Sequence, residues 1–236
     1  MSEQNDYEQL TTASDRGKKA AGEKVVEYIE DGMTLGLGSG STVYWALKKL
    51  SEKVNQGLNI RGIPSSKRTE RWAEELGIPL THYHDVQELD LAIDGADEID
   101  ANLHLIKGGG GSLVREKIVN ASARQVIIIA DTTKRVTQLG KTPLPIEVLP
   151  FGWEVTAKRI SNLGGKIQLR KKNSQPFISD NGNYILDCQF EGIPEPAVLH
   201  KQLIQLVGVV ETGLFIDLTD RVILGMDNQI QYLEKP

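Results

Sequence analysis

Cysteine is almost absent from this chain of 236 residues, Cys188 being the single one. One thiol cannot close an intramolecular disulfide, so a stapled framework is excluded and a reducing compartment, the cytoplasm, is expected. Long apolar runs are missing as well. The stretch Val126–Ala130 is far too short to cross a bilayer, and no membrane partner is expected. The first ten residues, MSEQNDYEQL, are polar and acidic, so neither a signal nor a transit peptide is expected there. An excess of positive charge is lacking: the net charge is −5, which argues against a general nucleic-acid surface. There is no G-x-S-x-G elbow and no Ser–His–Asp set, and the glycine turn at residues 36–42 lacks the Gly-Lys-Ser/Thr of the Walker pattern. Repeats and low-complexity segments are absent too. What remains, with 39% hydrophobic and 25% charged residues, is an ordinary globular composition with enough chain for one large domain or for a large and a small one.

Strand and helix patterns alternate over the first half. Residues 1 to about 15 are expected to be frayed, and a helix follows through Lys18, Ala21, Val25, Val26 and Ile29. Met33–Gly38 reads as a short strand. Ser39–Thr42 then opens a helix with apolar positions Val43, Ala46, Leu47 and Leu50. A second strand–helix unit runs from Leu58 through a start near Ser65 or Ser66 to Trp72, Ala73 and Leu76. A strand ending at Ile93 and the apolar run Gln125–Ala130, suited to burial on both faces, complete the pattern. This alternation predicts an α/β fold, a Rossmann-like mostly parallel sheet with helices on both faces.

Beyond residue 143 the character changes. Pro143–Pro150 is expected to be a crossing segment and an edge strand, where proline is tolerated. The order β-α-β-β-α-β that follows is the ferredoxin-like pattern, with Tyr184, Leu186, Cys188 and Phe190 on one face. The expected division is therefore 1–143 with 213–236 as a Rossmann-like catalytic domain, and 144–212 as a smaller ferredoxin-like α+β domain. The strand Arg221–Gly225 is expected to rejoin the large sheet.

One stretch concentrates charge around permissive backbone. Ala92–Ile118 holds Asp94, Asp97, Glu98, Asp100, Lys107 and Glu116 around the glycines 108–111, and four successive glycines are costly to order. Two carboxylates beside Lys107 are the groups proton transfer needs, since repulsion and a close cation push their pKa values apart. Glu98 and Asp100 read as solvated charges. Glu116 reads first as a helix-end glutamate, off the Val114/Ile118/Ala121 stripe and so not required in the core. The turn Gly36–Thr42 fails as a dinucleotide site: Ser41 stands at the third glycine position, and the next strand ends without an acidic ribose reader. A cradle of amides with the Ser39, Ser41 and Thr42 hydroxyls suits one phosphate on a small molecule, and a plain capped turn is the competing reading. His82 and His84 with Asp85 lack a third clustered ligand, so no metal is expected. The residues by themselves thus reach an α/β enzyme for a small phosphorylated substrate, working by carboxylates and a lysine.

The motifs GLGSGST, DGADEID, KGGGGSLVREKI and ADTTK, followed by LGKTPLPIEV and DNGNYILD, occur in this order from about Lys18 to the last strand. In this the chain resembles the family of type A ribose-5-phosphate isomerases. The resemblance implies interconversion of ribose 5-phosphate and ribulose 5-phosphate in the pentose phosphate pathway, with the reductive pentose cycle as a further setting. It implies no metal or organic cofactor, a phosphorylated pentose as partner, and a homodimer or homotetramer. Carried over by position, it puts the general base at Glu116. Substrate contacts fall at Ser39, Gly40, Ser41 and Thr42, at Asp94, Gly95, Ala96 and Asp97, and at Lys107, Gly108, Gly109 and Gly110, with Lys134 and Lys18 as further lysines. Ser39 stands where threonine is common. Gly111 replaces a frequent alanine, which is expected only to loosen the turn. The expected catalytic set is Glu116 for the proton, Lys107 for the oxyanion and Asp94 for ring opening. The phosphate is assigned either to Ser39–Thr42 or to a clamp of Lys18 and Lys134. Related alternatives are a sugar-phosphate deaminase or lactonase, and a non-catalytic sugar-phosphate sensor.

Overall fold

The computed structural model describes residues 12–227 and 229–235. At its start the Thr12 hydroxyl accepts from the Asp15 amide, and the Asp15 carboxylate answers onto the Thr12 amide. This reciprocal capping box begins α1 (Ala13–Val25). Fraying expected at residues 1–11 lies outside the described residues, and the expectation fails for 12–15, which are capped and helical. After α1 come β1 (Thr34–Leu37), α2 (Ser41–Asn55), β2 (Arg61–Pro64), α3 (Lys67–Glu75) and β3 (Leu91–Asp94). Two short strands, β4 (Glu98–Ile99) and β5 (Leu105–Ile106), precede α4 (Leu113–Ala121) and β6 (Val126–Asp131). The next elements are β7 (Leu144–Val148), α5 (Trp153–Ser161) and β8 (Lys166–Leu169), then a hairpin of β9 (Lys171–Lys172) and β10 (Gln175–Pro176). Last are β11 (Tyr184–Gln189), α6 (Pro196–Ile204), β12 (Val209–Thr212), β13 (Leu214–Phe215), β14 (Arg221–Met226) and β15 (Gln229–Glu234).

The chain divides into two compact units. The first takes in the described residues up to Ala96, Ile118–Lys134, and the described residues from Leu218 onward. Its sheet has the order β15-β14-β6-β3-β1-β2, parallel throughout except for β15 on one edge. Strands β1, β3 and β6 are buried along their whole length, as their apolar runs require of strands covered on both faces. Strand β14 joins the sheet beside β6 as expected. The polar edge strand β15, with half or more of its positions exposed, was not expected. Chain order reverses between β1 and β3, and in such sheets ligands bind beyond the strand carboxyl ends at that point. A core of Leu35, Leu37, Leu47, Leu50, Ile93 and Ile127 fills this unit, each such side chain contributing roughly 1.5–3 kcal/mol.

The second unit is Asp97–Lys117 with Arg135–Asp217. It contains the expected β-α-β-β-α-β order, realised as the antiparallel sheet β12-β7-β11-β8. Residues 97–117, 135–143 and 213–217, expected with the large sheet, cluster here instead. The reason is that β4 and β5 pair with β13 in a separate antiparallel sheet of order β13-β5-β4.

Strand β7 corrects an expectation: it is an interior strand, paired on both sides, although it contains Pro145. Proline is tolerated because Pro145 lies one residue past the β12 ladder, opposite Gly213. There the Gly213 amide still donates to the Pro145 carbonyl (2.7 Å). Proline has no N–H to return that bond.

Candidate active site

In the first unit the carboxyl ends of β1 and β3 are stitched together. The Gly38 amide donates to the Ile93 carbonyl (2.8 Å), and the Ser39 amide donates to Asp94 Oδ1 (3.1 Å). Gly95 donates its amide to the same oxygen (2.8 Å). Asp94 is fully buried, and it lies so close to the turn that a Cβ on Gly38 would meet its Oδ1 at 2.3 Å. Glycine is obligatory there for space alone. The Gly38 carbonyl is held in turn by the Thr69 hydroxyl (2.7 Å). Helix α2 then starts with Gly40 as its cap rather than a serine, and no side chain caps it. Ser39 and Thr42 are buried, and Gly40 and Ser41 half-buried. The sequence thus builds an amide-lined turn at a helix N-terminus, where partial positive charge favours an anion. Lys134 ends a short 3-10 turn after β6 that packs against α1, and Lys18 on α1 pairs with Asp15 (3.3 Å).

In the second unit Lys107 and Glu116 are brought together. Their side chains are 3% and 5% exposed, and Lys107 Nζ stands 3.5 Å from Glu116 Oε2. The Lys107 ammonium also lies 5.4 Å from the centre of the Phe215 ring. Its backbone is fixed by the proline in β7: the Gly213 carbonyl, which Pro145 cannot use, accepts the Lys107 N–H (2.9 Å). Asp97 Oδ2 accepts the Gly109 amide (2.8 Å), tying the acidic loop to the glycine loop. A buried charged pair is strongly destabilised by loss of either member, so burial of this one is a costly feature that packing alone does not require.

Glu116 is where the structure departs most from expectation. The buried positions of α4 are Leu113, Glu116, Val119 and Asn120, while Ile118 is 50% exposed and Ala121 exposed. The helix turns the reverse of the apolar stripe inward. Glu98 and Asp100 are likewise not solvated. Glu98, 1% exposed, accepts the amides of Gly140 and Thr142, and Asp100 accepts those of Asn102 and His104. Both hold loops in place.

Lys117 was passed over in the sequence because it reads as a neighbour of Glu116. Its ammonium donates to Glu211 Oε1, to the Thr212 carbonyl and to the Leu214 carbonyl, each at 2.8 Å. Burial lowers its pKa, against the pull of Glu211. Arg170 was missed for a simpler reason: its contacts are to backbone 61 and 62 positions earlier in the chain, and no local pattern encodes them. Among the described residues no group of three or more His, Cys, Asp or Glu side chains is placed to hold a metal ion.

A model of the family described as ribose 5-phosphate isomerase A (phosphoriboisomerase A) matches residues 61–229. A curated relative from Oceanobacillus iheyensis, ribose-5-phosphate isomerase A 1, is 55% identical over 217 residues, covering 92% of this chain and 97% of its own. Among solved structures, a D-ribose-5-phosphate isomerase in complex with phospho-erythronic acid is 39% identical with a TM-score of 0.91, covering 94% of this chain and 99% of that one. The ribose 5-phosphate isomerase of Plasmodium falciparum is also 39% identical, with a TM-score of 0.88 over 92% of this chain and 97% of that one.

Proposed function

Because the chain belongs to the ribose 5-phosphate isomerase A family, we propose that it interconverts D-ribose 5-phosphate and D-ribulose 5-phosphate by proton transfer through an enediolate. The observation that carries this reading is the buried Lys107–Glu116 pair, 3.5 Å apart. A hydrogen on carbon beside a carbonyl is only weakly acidic, so the reaction needs a placed base and a group that stabilises the developing oxygen anion. Glu116 supplies the base and Lys107 the cation.

After ring opening, the Glu116 carboxylate removes the proton from C2. The C2–H electrons form the C1–C2 double bond while the carbonyl pair moves onto O1. Lys107 and the Gly108 and Gly110 amides of the glycine loop stabilise that oxygen. A proton passes from O2 to O1, Glu116 returns its proton to C1, and the ketone stands at C2. Asp94 assists ring opening and the O2-to-O1 transfer, and Asp97 holds substrate hydroxyls. The phosphate is assigned either to the α2 N-terminus, through the Gly40–Thr42 amides, or to Lys18 and Lys134. The chemistry assigned to these residues calls for no cofactor.

No helix among the described residues is long and apolar enough to cross a membrane, and a cytoplasmic homodimer is part of the proposal, open to test by sedimentation. The functional test is turnover of ribose 5-phosphate by the purified chain, with and without EDTA, beside glucosamine 6-phosphate as control. Ribulose 5-phosphate formation unaffected by EDTA is expected. Release of ammonia from glucosamine 6-phosphate without turnover of ribose 5-phosphate would replace the reading with a deaminase. Loss of turnover with EDTA would overturn the metal-free mechanism.

A further inference from the structure

Arg170 follows directly on β8, far in sequence from every residue assigned a role above. Its guanidinium is held by Asp187 of β11, through Nε to Oδ2 (2.9 Å) and Nη2 to Oδ1. Its main chain is fixed on both sides: its amide donates to the Ile185 carbonyl (2.8 Å), and its carbonyl accepts the Phe177 amide (2.9 Å). So anchored, Nη1 reaches the glycine loop and donates to two successive carbonyls, Gly108 (2.9 Å) and Gly109 (3.1 Å).

Two carbonyls bound by one nitrogen constrain more than position. A peptide unit is planar and trans, so the N–H on the far side of each plane points opposite to its carbonyl. With both carbonyls turned to Arg170, the amides of Gly109 and Gly110 are turned away from it. The Gly109 amide, so turned, donates to Asp97 Oδ2 (2.8 Å). Gly110 follows in an exposed stretch of the loop. Behind the loop, the Phe177 ring occupies the space a Gly111 Cβ would need, at 2.4 Å. The guanidinium lies over that ring, 5.9 Å from its centre.

We propose that Arg170, locked by Asp187, is a positioning residue for the isomerisation: it turns the Gly108–Gly110 peptide planes so that the Gly110 amide is preset to donate to the oxygen anion that develops on the sugar. The inference rests on the isomerase reading. Arg170 touches no reacting atom and acts through backbone. Lysine cannot replace it fully, because an ammonium lacks the planar fork that grips Asp187 and the two carbonyls together.

The experiment measures kcat and KM for ribose 5-phosphate, inhibition by phospho-erythronic acid, and the thermal midpoint, in wild type, Arg170→Lys and Arg170→Ala. The carboxylate of phospho-erythronic acid places an oxygen anion where the enediolate carries one. Misdirecting one donor should lower kcat by roughly 10²-fold in Arg170→Ala, with KM little changed. Inhibition by phospho-erythronic acid should weaken in parallel, and Arg170→Lys should recover part of both losses. Wild-type kcat in folded Arg170→Ala would overturn the inference while leaving the isomerase reading intact. So would a loss confined to KM, or one that tracks the thermal midpoint with inhibitor affinity unchanged. A wild-type chain inert toward ribose 5-phosphate would remove the reading on which the inference stands.

Discussion

Gly111 shows how narrow the tolerance is at single residues. Its backbone is left-handed, φ +88°, and a Cβ there would lie 2.4 Å from the Phe177 ring. The sequence implies only a looser turn, but the glycine does more than that. It makes room for the ring that backs the loop. Gly111→Ala should destabilise the protein by roughly 1–3 kcal/mol, through strain and overpacking. In Gly111→Ala with Phe177→Ala, the clash is gone and the two costs should fall short of additivity. Urea unfolding of the two single variants and the double variant measures this. Strict additivity would mean that the ring and the missing Cβ do not compete for space. The same scale explains Lys107 and Glu116. Each is buried beside the other, and a cation and a carboxylate withdrawn from water interact more strongly than at a surface.

Among elements, α4 and β7 teach the most. The parallel strands were legible because a strand buried on both faces is apolar at every position, and β6 is such a strand. The ferredoxin-like order was legible from alternation and turn residues. Helix α4 was not, because an apolar stripe normally faces inward and here Leu113, Glu116, Val119 and Asn120 do. A site can reverse a face when its charged groups must be buried. Strand β7 was read as an edge because it contains proline. Its actual neighbours, β11 and β12, are too distant in sequence for any local pattern to reveal. Strands β4, β5 and β13 have two residues each and no periodicity to detect. Glu98 belongs to this scale, since its carboxylate joins β4 to the 140–142 loop. Glutamine offers one acceptor oxygen in place of two, so Glu98→Gln should cost roughly 1–3 kcal/mol, read as a lower urea midpoint with an unchanged slope. An unshifted midpoint would return Glu98 to the solvated class.

For the whole molecule, stability and reaction depend on where protons are held. His200 shares its Nδ1 contact with the Thr212 hydroxyl (2.8 Å) and lies near Lys117 and Glu211. Burial, and then the Lys117 ammonium, hold its pKa below the ordinary 6.5, with Glu211 opposing. A base whose pKa is depressed by folding binds its proton more tightly in the unfolded chain. Stability therefore falls as pH drops below about 6.5, and this contribution stops growing once pH passes the folded value. His200→Gln removes that titration, so its urea midpoint should decline less steeply than wild type between pH 7 and pH 5. Equal slopes would show that His200 does not carry the difference.

The proposed isomerisation rests on one proton moved by one carboxylate. Glu116→Gln keeps the size of the side chain and removes its basicity, while Glu116→Asp keeps the charge beside Lys107 and withdraws it from reach. The direct measurement is kcat for ribose 5-phosphate, taken on variants whose circular dichroism matches wild type. A positioned general base contributes roughly 10²–10⁴-fold, so Glu116→Gln should lose about 10³-fold in kcat and Glu116→Asp a substantial part of that. Turnover by folded Glu116→Gln within a few-fold of wild type would contradict the account.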